Sequence, residues 1–436
     1  MINEDAAPTT TDGTSPQDGN QAVTVRHTGR YVVVLADGAD PSPILTQVAG
    51  MRAMATSLDF GEQAVDMDQM AGRDGMVFAE LGMAVVAADL DQVGALRTAE
   101  HGIGTAVLAV VPELVHHVLA SPDYLTGYRE GVEDLSKRVG AGEQDGGDGV
   151  DGADFEDTET STWGLQAIGM GPGSPTGEGI RVAVLDTGMD LGHPDFAGRS
   201  ITAKSFVEGE TAQDGHGHGT HCIGTSCGAT SQDGRRYGVA PGVDVYAGKV
   251  LGDEGSGSDA GILAGINWAI ANGCAIVSMS LGADVREPHP PYTFAGRRAL
   301  ERGTLIIAAA GNNARRPGDP GFVGSPANSP EIMAVAAVDG RLAIAPFSAR
   351  SVPFAGGQVD LAGPGVDVYS SWPMPTRYRS ISGTSMATPH AAGVAALWAQ
   401  TTGRRGLELW ATLDKQSQRM ALSSLDVGAG LVQVSS

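Results

Sequence analysis

Basic residues are few in this chain. Its 436 residues carry 28 Lys and Arg against 51 Asp and Glu, a formal net charge of −23. No basic patch stands out, so nucleic acid is not an expected partner. Cysteine is scarcer still. The three, at 222, 227 and 274, are an odd number and cannot close a complete set of disulfides. No apolar run reaches about 18 residues, so no transmembrane helix is expected. The opening, MINEDAAPTTTDGTSPQDGN, is polar and acidic and lacks the apolar centre of a secretory leader. A cytoplasmic location is the expectation from that segment. The chain ends soon after GAGLVQV (428–434), so no further C-terminal domain is expected.

Glycine, by contrast, is abundant at 63 residues, which suits many tight strand-to-helix turns. A hydrophobic share of 42% is enough for a large core, and the length predicts two or three domains. The charge is uneven. Residues 1–160 hold 28 acidic and 8 basic residues, whereas 161–436 hold 23 and 20. The acidity therefore belongs to a front module.

Four segments in the second half carry chemistry. RVAVLD (181–186) is a continuous apolar run, read as a buried parallel strand ending in Asp186. DGHGHGTHCIGT holds His218 at the start of a helix of small residues. SGTSMATPHAAGVAAL places Ser385 at the start of an alanine-rich helix, in the positive field of its N-terminus. TLIIAAAGNN (304–313) is a second buried strand, ending near Asn312. A serine hydroxyl needs a base to remove its proton during attack. His218 suits that task, and Asp186 would hold the imidazole in the useful tautomer. Taken singly, the Asp is a turn former and the Ser a helix cap. His216, His218 and His221 beside Asp214 also have the composition of a metal site, although no HExxH or paired-cysteine pattern accompanies them.

The order Asp, His, Ser is the subtilisin order. From about residue 161 onward the chain resembles the subtilisin-like serine peptidases. The resemblance implies an α/β fold, a three-layer sandwich about a mostly parallel sheet. It implies a serine endopeptidase acting on polypeptides through an acyl-enzyme, with no cofactor for the chemistry. Asn312 then corresponds to the side-chain donor for the developing oxyanion. Gly255, Ser256 and Gly257 in VLGDEGSGS match one substrate-lining segment, and Ser280, Leu281 and Gly282 in SMSLGAD match the opposing one. A peptide between them would add a strand to each. Gly324, in FVGSPANSP, matches the base of the pocket for the residue before the scissile bond and leaves room for a large apolar side chain. Cys222, following HGTH, matches a free thiol beneath the histidine. Asp195 in GHPDF matches one calcium ligand, but ATSQDGRRYG (229–238) does not resemble the loop that supplies the others. No full metal ligand set is assigned, and structural calcium stays open. The family is mostly exported, which opposes the cytoplasmic expectation.

The front module divides into a disordered stretch (1–24), a small domain (25–119) and an acidic tether (120–160). RYVVVLADG reads as a strand. Ser42 reads as the cap of an amphipathic stretch to about Leu58, with Pro43 at its first position. MVFAELGMAVVAA supplies one or two strands, Asp89 and Gln92 a capping box, and TAVLAVV a last strand. The product is a ferredoxin-like βαββαβ sheet, which resembles subtilisin propeptides in its opening YVVVLADGADP. That resemblance implies an intramolecular inhibitor, removed by a cut between about 117 and 162, and a monomer. In 141–160 eight acids stand without a base, a solvated tether or, less in keeping with its spacing, a calcium loop. Two further functions fit the same motifs: a peptide ligase that passes the acyl group to an amine, and an inactive binding module.

Overall fold

The computed structural model describes residues 26–70, 72–101, 105–119, 154–352 and 357–434. The expected disordered stretch at 1–24 and the tether from 120 to 153 lie outside the described residues.

The larger unit is built on seven parallel strands. These are β6 (Arg181–Asp186), β7 (Ile201–Ser205), β8 (Asp244–Lys249), β10 (Ile276–Met279), β12 (Leu305–Ala309), β13 (Met333–Val338) and β14 (Leu361–Pro364). Their order is β14-β13-β12-β10-β6-β8-β7, and every neighbouring pair is parallel. Helices α2 (His218–Cys227) and α5 (Thr384–Thr402) pack together on one face, while α3 (Asp259–Ala271) and α4 (Pro290–Glu301) form another layer. Val182 to Leu185, Ile276, Val277 and Leu305 to Ala308 are all buried, as a sheet covered on both faces requires. The chain leaves β6 toward β8 and returns at β10 on its other side. That reversal is a topological switch point, where a crevice opens at the carboxyl ends of the strands. Asp186 lies at this crevice. Among the described residues no helix is long and apolar enough to cross a membrane.

The front unit contains β1 (His27–Leu35), β2 (Met54–Thr56), β3 (Gly75–Phe78), β4 (Met83–Val86) and β5 (Val107–Val118), with α1 (Leu90–Glu100) between β4 and β5. The sheet order is β5-β1-β4-β3-β2. Without the short edge strand β2, this is the ferredoxin-like arrangement. The capping box before α1 is formed. Gln92 N–H donates to Asp89 Oδ1 at 2.8 Å, and Asp89 N–H donates to Gln92 Oε1 at 3.0 Å. Alternate residues of β1 serve two cores. Val33 and Leu35 pack under the unit's own helical segments with Leu45 and Leu96, whereas Val32 and Val34 join the core shared with the larger unit.

Two expectations need correction here. The first helical segment is capped by Asp40, whose side chain accepts from Ser42 N–H, and it begins at Pro41 rather than Pro43. It ends at Val48, not near Leu58. Gly50 has φ of 68°, and Met51 N–H reaches back to Leu45 O at 3.0 Å, a C-terminal stop that requires the left-handed region. The larger unit also starts earlier than 161. Phe155 N–H donates to Gly340 O at 2.8 Å, and Asp157 accepts from Trp163 N–H at 2.8 Å and pairs with Arg235 at 3.3 Å. Residues 154–160 are thus anchored to the larger unit by hydrogen bonds, although most of their side chains are exposed.

Candidate active site

Asp186 and His218 meet at the end of β6. His218 is the first residue of α2, and its Nδ1 lies 2.7 Å from Asp186 Oδ1. The same oxygen accepts from Thr187 N–H at 2.8 Å. Asp214, in the DGHGHGTH segment, accepts from the N–H of His216, Gly217 and Thr220 and from the hydroxyls of Thr187 and Thr220, all at 2.7–3.0 Å. It therefore builds the turn that delivers His218. Sequence reasoning placed Asp214 only among metal-type side chains. His221 points elsewhere, its Nε2 on the carbonyls of Val368 and Arg379, so the three histidines do not converge. Among the described residues, Asp186, His218 and Cys222 are the cluster whose ligand-type atoms come within 4.8 Å. The Asp–His hydrogen bond and the neighbouring thiol account for it.

Cys222, one helical turn below His218, lies between His218 and Ser385. Its sulfur lies 3.8 Å from His218 Nδ1 and 3.6 Å from Ser385 O. Burial pushes its thiol pKa up, so it stays protonated at neutral pH. Ser385, the second residue of α5, is fully buried, and its hydroxyl donates to Ser280 O at 3.1 Å. Ser280 Oγ in turn donates to Ser385 O at 2.8 Å. His218 Nε2 has no partner among the described atoms. The Ser–His hydrogen bond is therefore not made in this state.

Burial alone would lower the His218 pKa, but the Asp186 carboxylate outweighs it and holds the imidazole well above its usual 6.5. A general base acts in its neutral form. The acidic limb of kcat/KM against pH should therefore have its midpoint above 6.5. Removing the stabilising charge with Asp186→Asn should move that limb down and cut turnover by about 10⁴-fold, as in the serine-protease triad. A limb below 6.5 in the unsubstituted enzyme would contradict this assignment.

Asn312 is oriented by its neighbour. Its Oδ1 accepts from Thr384 N–H at 3.0 Å and from Thr384 Oγ1 at 2.9 Å, which turns Nδ2 toward the crevice. There Nδ2 donates to Leu119 O.

The crevice is filled by the chain's own β5. Val115, His116 and His117 pair antiparallel with Ser258, Gly257 and Ser256 of β9 (Ser256–Ser258). On the other side Val118 and His117 pair with Leu281 and Gly282 of β11 (Leu281–Gly282). Val118 N–H also donates to Gly255 O at 2.9 Å. All the residues expected to line a substrate backbone thus touch or flank one inserted strand.

At Gly324, expected at the base of a pocket, a Cβ would stand 2.6 Å from Ala283 O, so a side chain there would require a shift of backbone. Its glycine serves the close pairing of Ala283 with Ser325. Gly282 borders the Leu119 side chain: a Cβ on it would lie 3.0 Å from Ser325 O and 3.2 Å from Leu119 Cδ1. Gly282→Ala should shift preference before the scissile bond from Leu toward Ala. A ratio of kcat/KM for paired Leu and Ala peptides that does not move would refute this role.

Asp195 does not fit a metal. Its Oδ1 accepts from Arg377 at 3.0 Å and Tyr378 OH at 3.0 Å, and its Oδ2 accepts from Tyr237 OH at 2.9 Å. The guanidinium already supplies the positive charge, so no calcium is assigned to this carboxylate.

Residues 177–416 match the model of the Subtilase family. The chain belongs to the subtilase family. This subtilase is 43% identical over 255 residues to the M-protease of Shouchella clausii, a match covering 56% of this chain and 62% of that protein. It is 44% identical over 225 residues to subtilisin Savinase of Lederbergia lenta, covering 51% of this chain and 77% of the relative. With subtilisin DY of Bacillus licheniformis the identity is 38% over 259 residues, covering 58% and 86%. The subtilase thus spans less than two thirds of the M-protease it matches.

Proposed function

We propose that this chain is a serine endopeptidase made as a self-inhibited precursor, and that its first cut falls between Leu119 and Ala120. The observation that carries the reading is the placement of Leu119: its carbonyl sits on Asn312 while the strand leading to it is paired with both walls of the crevice. In a substrate held this way, Ser385 Oγ attacks the carbonyl carbon and forms the new C–O bond. His218 Nε2 takes the hydroxyl proton, and Asp186 stabilises the imidazolium. Asn312 Nδ2 donates to the oxygen as it gains charge. Collapse breaks the C–N bond, and the imidazolium gives its proton to the leaving amine. Water then hydrolyses the acyl-enzyme by the same proton route. No step needs a cofactor.

The product strand stays bound, since the front unit also grips α3 and α4. Glu113 accepts from Ala260 N–H at 2.8 Å, and Arg298 pairs with Asp37 at 2.9 Å. Residues 25–119 therefore act as an inhibitor until degraded. Cleavage after Leu119 falls within the expected window of about 117 to 162. Trimming from the new end would stop before the anchored residues from 154 on. The test is incubation of the purified full-length chain. A new N-terminus at Ala120, fluorophosphonate labelling of Ser385, and casein hydrolysis that appears as the front fragment is degraded are expected. A chain that stays intact, unlabelled and inert toward casein would overturn the reading.

A further inference from the structure

We infer that this enzyme selects histidine at the fourth residue before the bond it cuts, and that Asp259 is the residue that reads it. The inference rests on the proteolytic reading above. With Leu119 preceding the scissile bond, the side chains before it are Val118, His117 and His116. The strand alternates, so His117 is exposed to solvent while His116 is turned inward and fully buried.

The pocket that receives His116 is built around a carboxylate. Asp259 opens α3 just beyond β9, and it is 0% exposed. Its two oxygens take four donors. Two belong to the inserted strand: His116 Nε2 at 2.8 Å and Leu114 N–H at 2.7 Å. Two belong to the pocket wall: Tyr292 OH at 2.7 Å and His289 Nε2 at 3.1 Å. The Tyr292 ring also meets the His116 ring edge-on, with centroids 5.3 Å apart. Burial would raise the Asp259 pKa, but these donors, His116 first, hold it well below the usual carboxylate range. The group is an anion in a buried pocket.

Loss of the inserted strand takes away half of its donors. Any peptide that follows restores the Leu114 contact through its own backbone N–H. Only its side chain can restore the other. An imidazole does so from the distance seen here. A leucine or phenylalanine would fill the space and leave Asp259 Oδ1 with the Tyr292 hydroxyl as its one remaining donor, and a buried site built for hydrogen bonding discriminates against a partner without a donor. The resulting substrate class is a peptide with a short side-chain donor four residues before the cut and an apolar residue just before it.

The probes are internally quenched peptides based on Leu-Val-His-His-Val-Leu-Ala-Ser-Pro, which include the Leu114 position, with the first His replaced in turn by Phe, Leu, Ala or Gln. The enzyme is the self-matured full chain, counted by fluorophosphonate titration. The His peptide should exceed the Phe and Leu peptides in kcat/KM by roughly 10- to 100-fold, with Gln between them. Asp259→Asn should shrink that ratio, and Asp259→Leu should reverse it. Because each ratio is taken within one enzyme preparation, partial misfolding of a variant does not affect it. Rates equal within about threefold, or a His preference retained by Asp259→Leu, overturn this inference alone. Failure to cut any peptide, with no fluorophosphonate labelling, overturns the proteolytic reading and this inference with it.

Discussion

A Ser385→Ala chain should remain full length in a protease-free host, where the unsubstituted chain yields a fragment beginning at Ala120. The substitution removes a single oxygen. That oxygen makes one hydrogen bond, to Ser280 O, inside a fully buried site, so the cost in stability is about 1 kcal/mol and the fold should survive. Its effect on chemistry is of another order. Without a nucleophile the base has no proton to move and no acyl-enzyme forms. The expected fall in turnover is on the order of 10⁶-fold, the size of loss known when the nucleophile of a subtilisin is removed. Intact mass and N-terminal sequencing check the result. Adding a trace of active enzyme should cut the Ser385→Ala chain in its acidic segment, which separates loss of activity from loss of accessibility. Processing of the variant at the unsubstituted rate would mean that a different group, or a different protein, makes the cut.

Much of this was legible in the sequence because it is local or chain-ordered. RVAVLD had to be a strand buried on both faces, and an acid at its end had to reach the mouth of a parallel sheet. The box from Asp89 to Gln92 needs only three residues to declare a helix, and it forms. What was hidden depends on which backbones come close. Gly324 reads as a pocket floor, and nothing local shows that it also packs against Ala283 O, a contact between segments about forty residues apart. Asp214 read as one acid among histidines until the turn showed five donors converging on it. The run VVVL in β1 is continuous because a second layer covers its outer face, and only the docked structure names that layer. Ser42 lost the cap to Asp40 because the earlier carboxylate can reach Ser42 N–H, a choice between near neighbours that spacing alone cannot make. Asp259 lies one residue beyond β9, and nothing local marks it. Its role follows from the register that turns His116 inward.

Asn312→Ala should lower kcat by about 10²- to 10³-fold while changing KM little, the range associated with loss of this donor in subtilisin. The split between the two constants is the informative part. In the bound state Asn312 Nδ2 meets Leu119 O, a neutral carbonyl whose position is already fixed by the strand pairing on both sides. Removing one donor from that neutral oxygen costs little binding. The same oxygen becomes an anion on attack, and there the amide hydrogen bond strengthens in a crevice shut off from water. The interaction therefore belongs mainly to the transition state, and its loss appears in kcat. Orientation is part of the device. Thr384 holds the amide oxygen with its N–H and its hydroxyl, so the donor end cannot turn away. Thr384→Val keeps the backbone contact and removes the hydroxyl one, and it should cost far less than Asn312→Ala. Asn312→Asp presents no side-chain N–H at all and places a negative charge beside the developing oxyanion, so it should be worse than alanine. If Asn312→Ala raises KM and leaves kcat untouched, the side chain holds the substrate and does not stabilise the oxyanion.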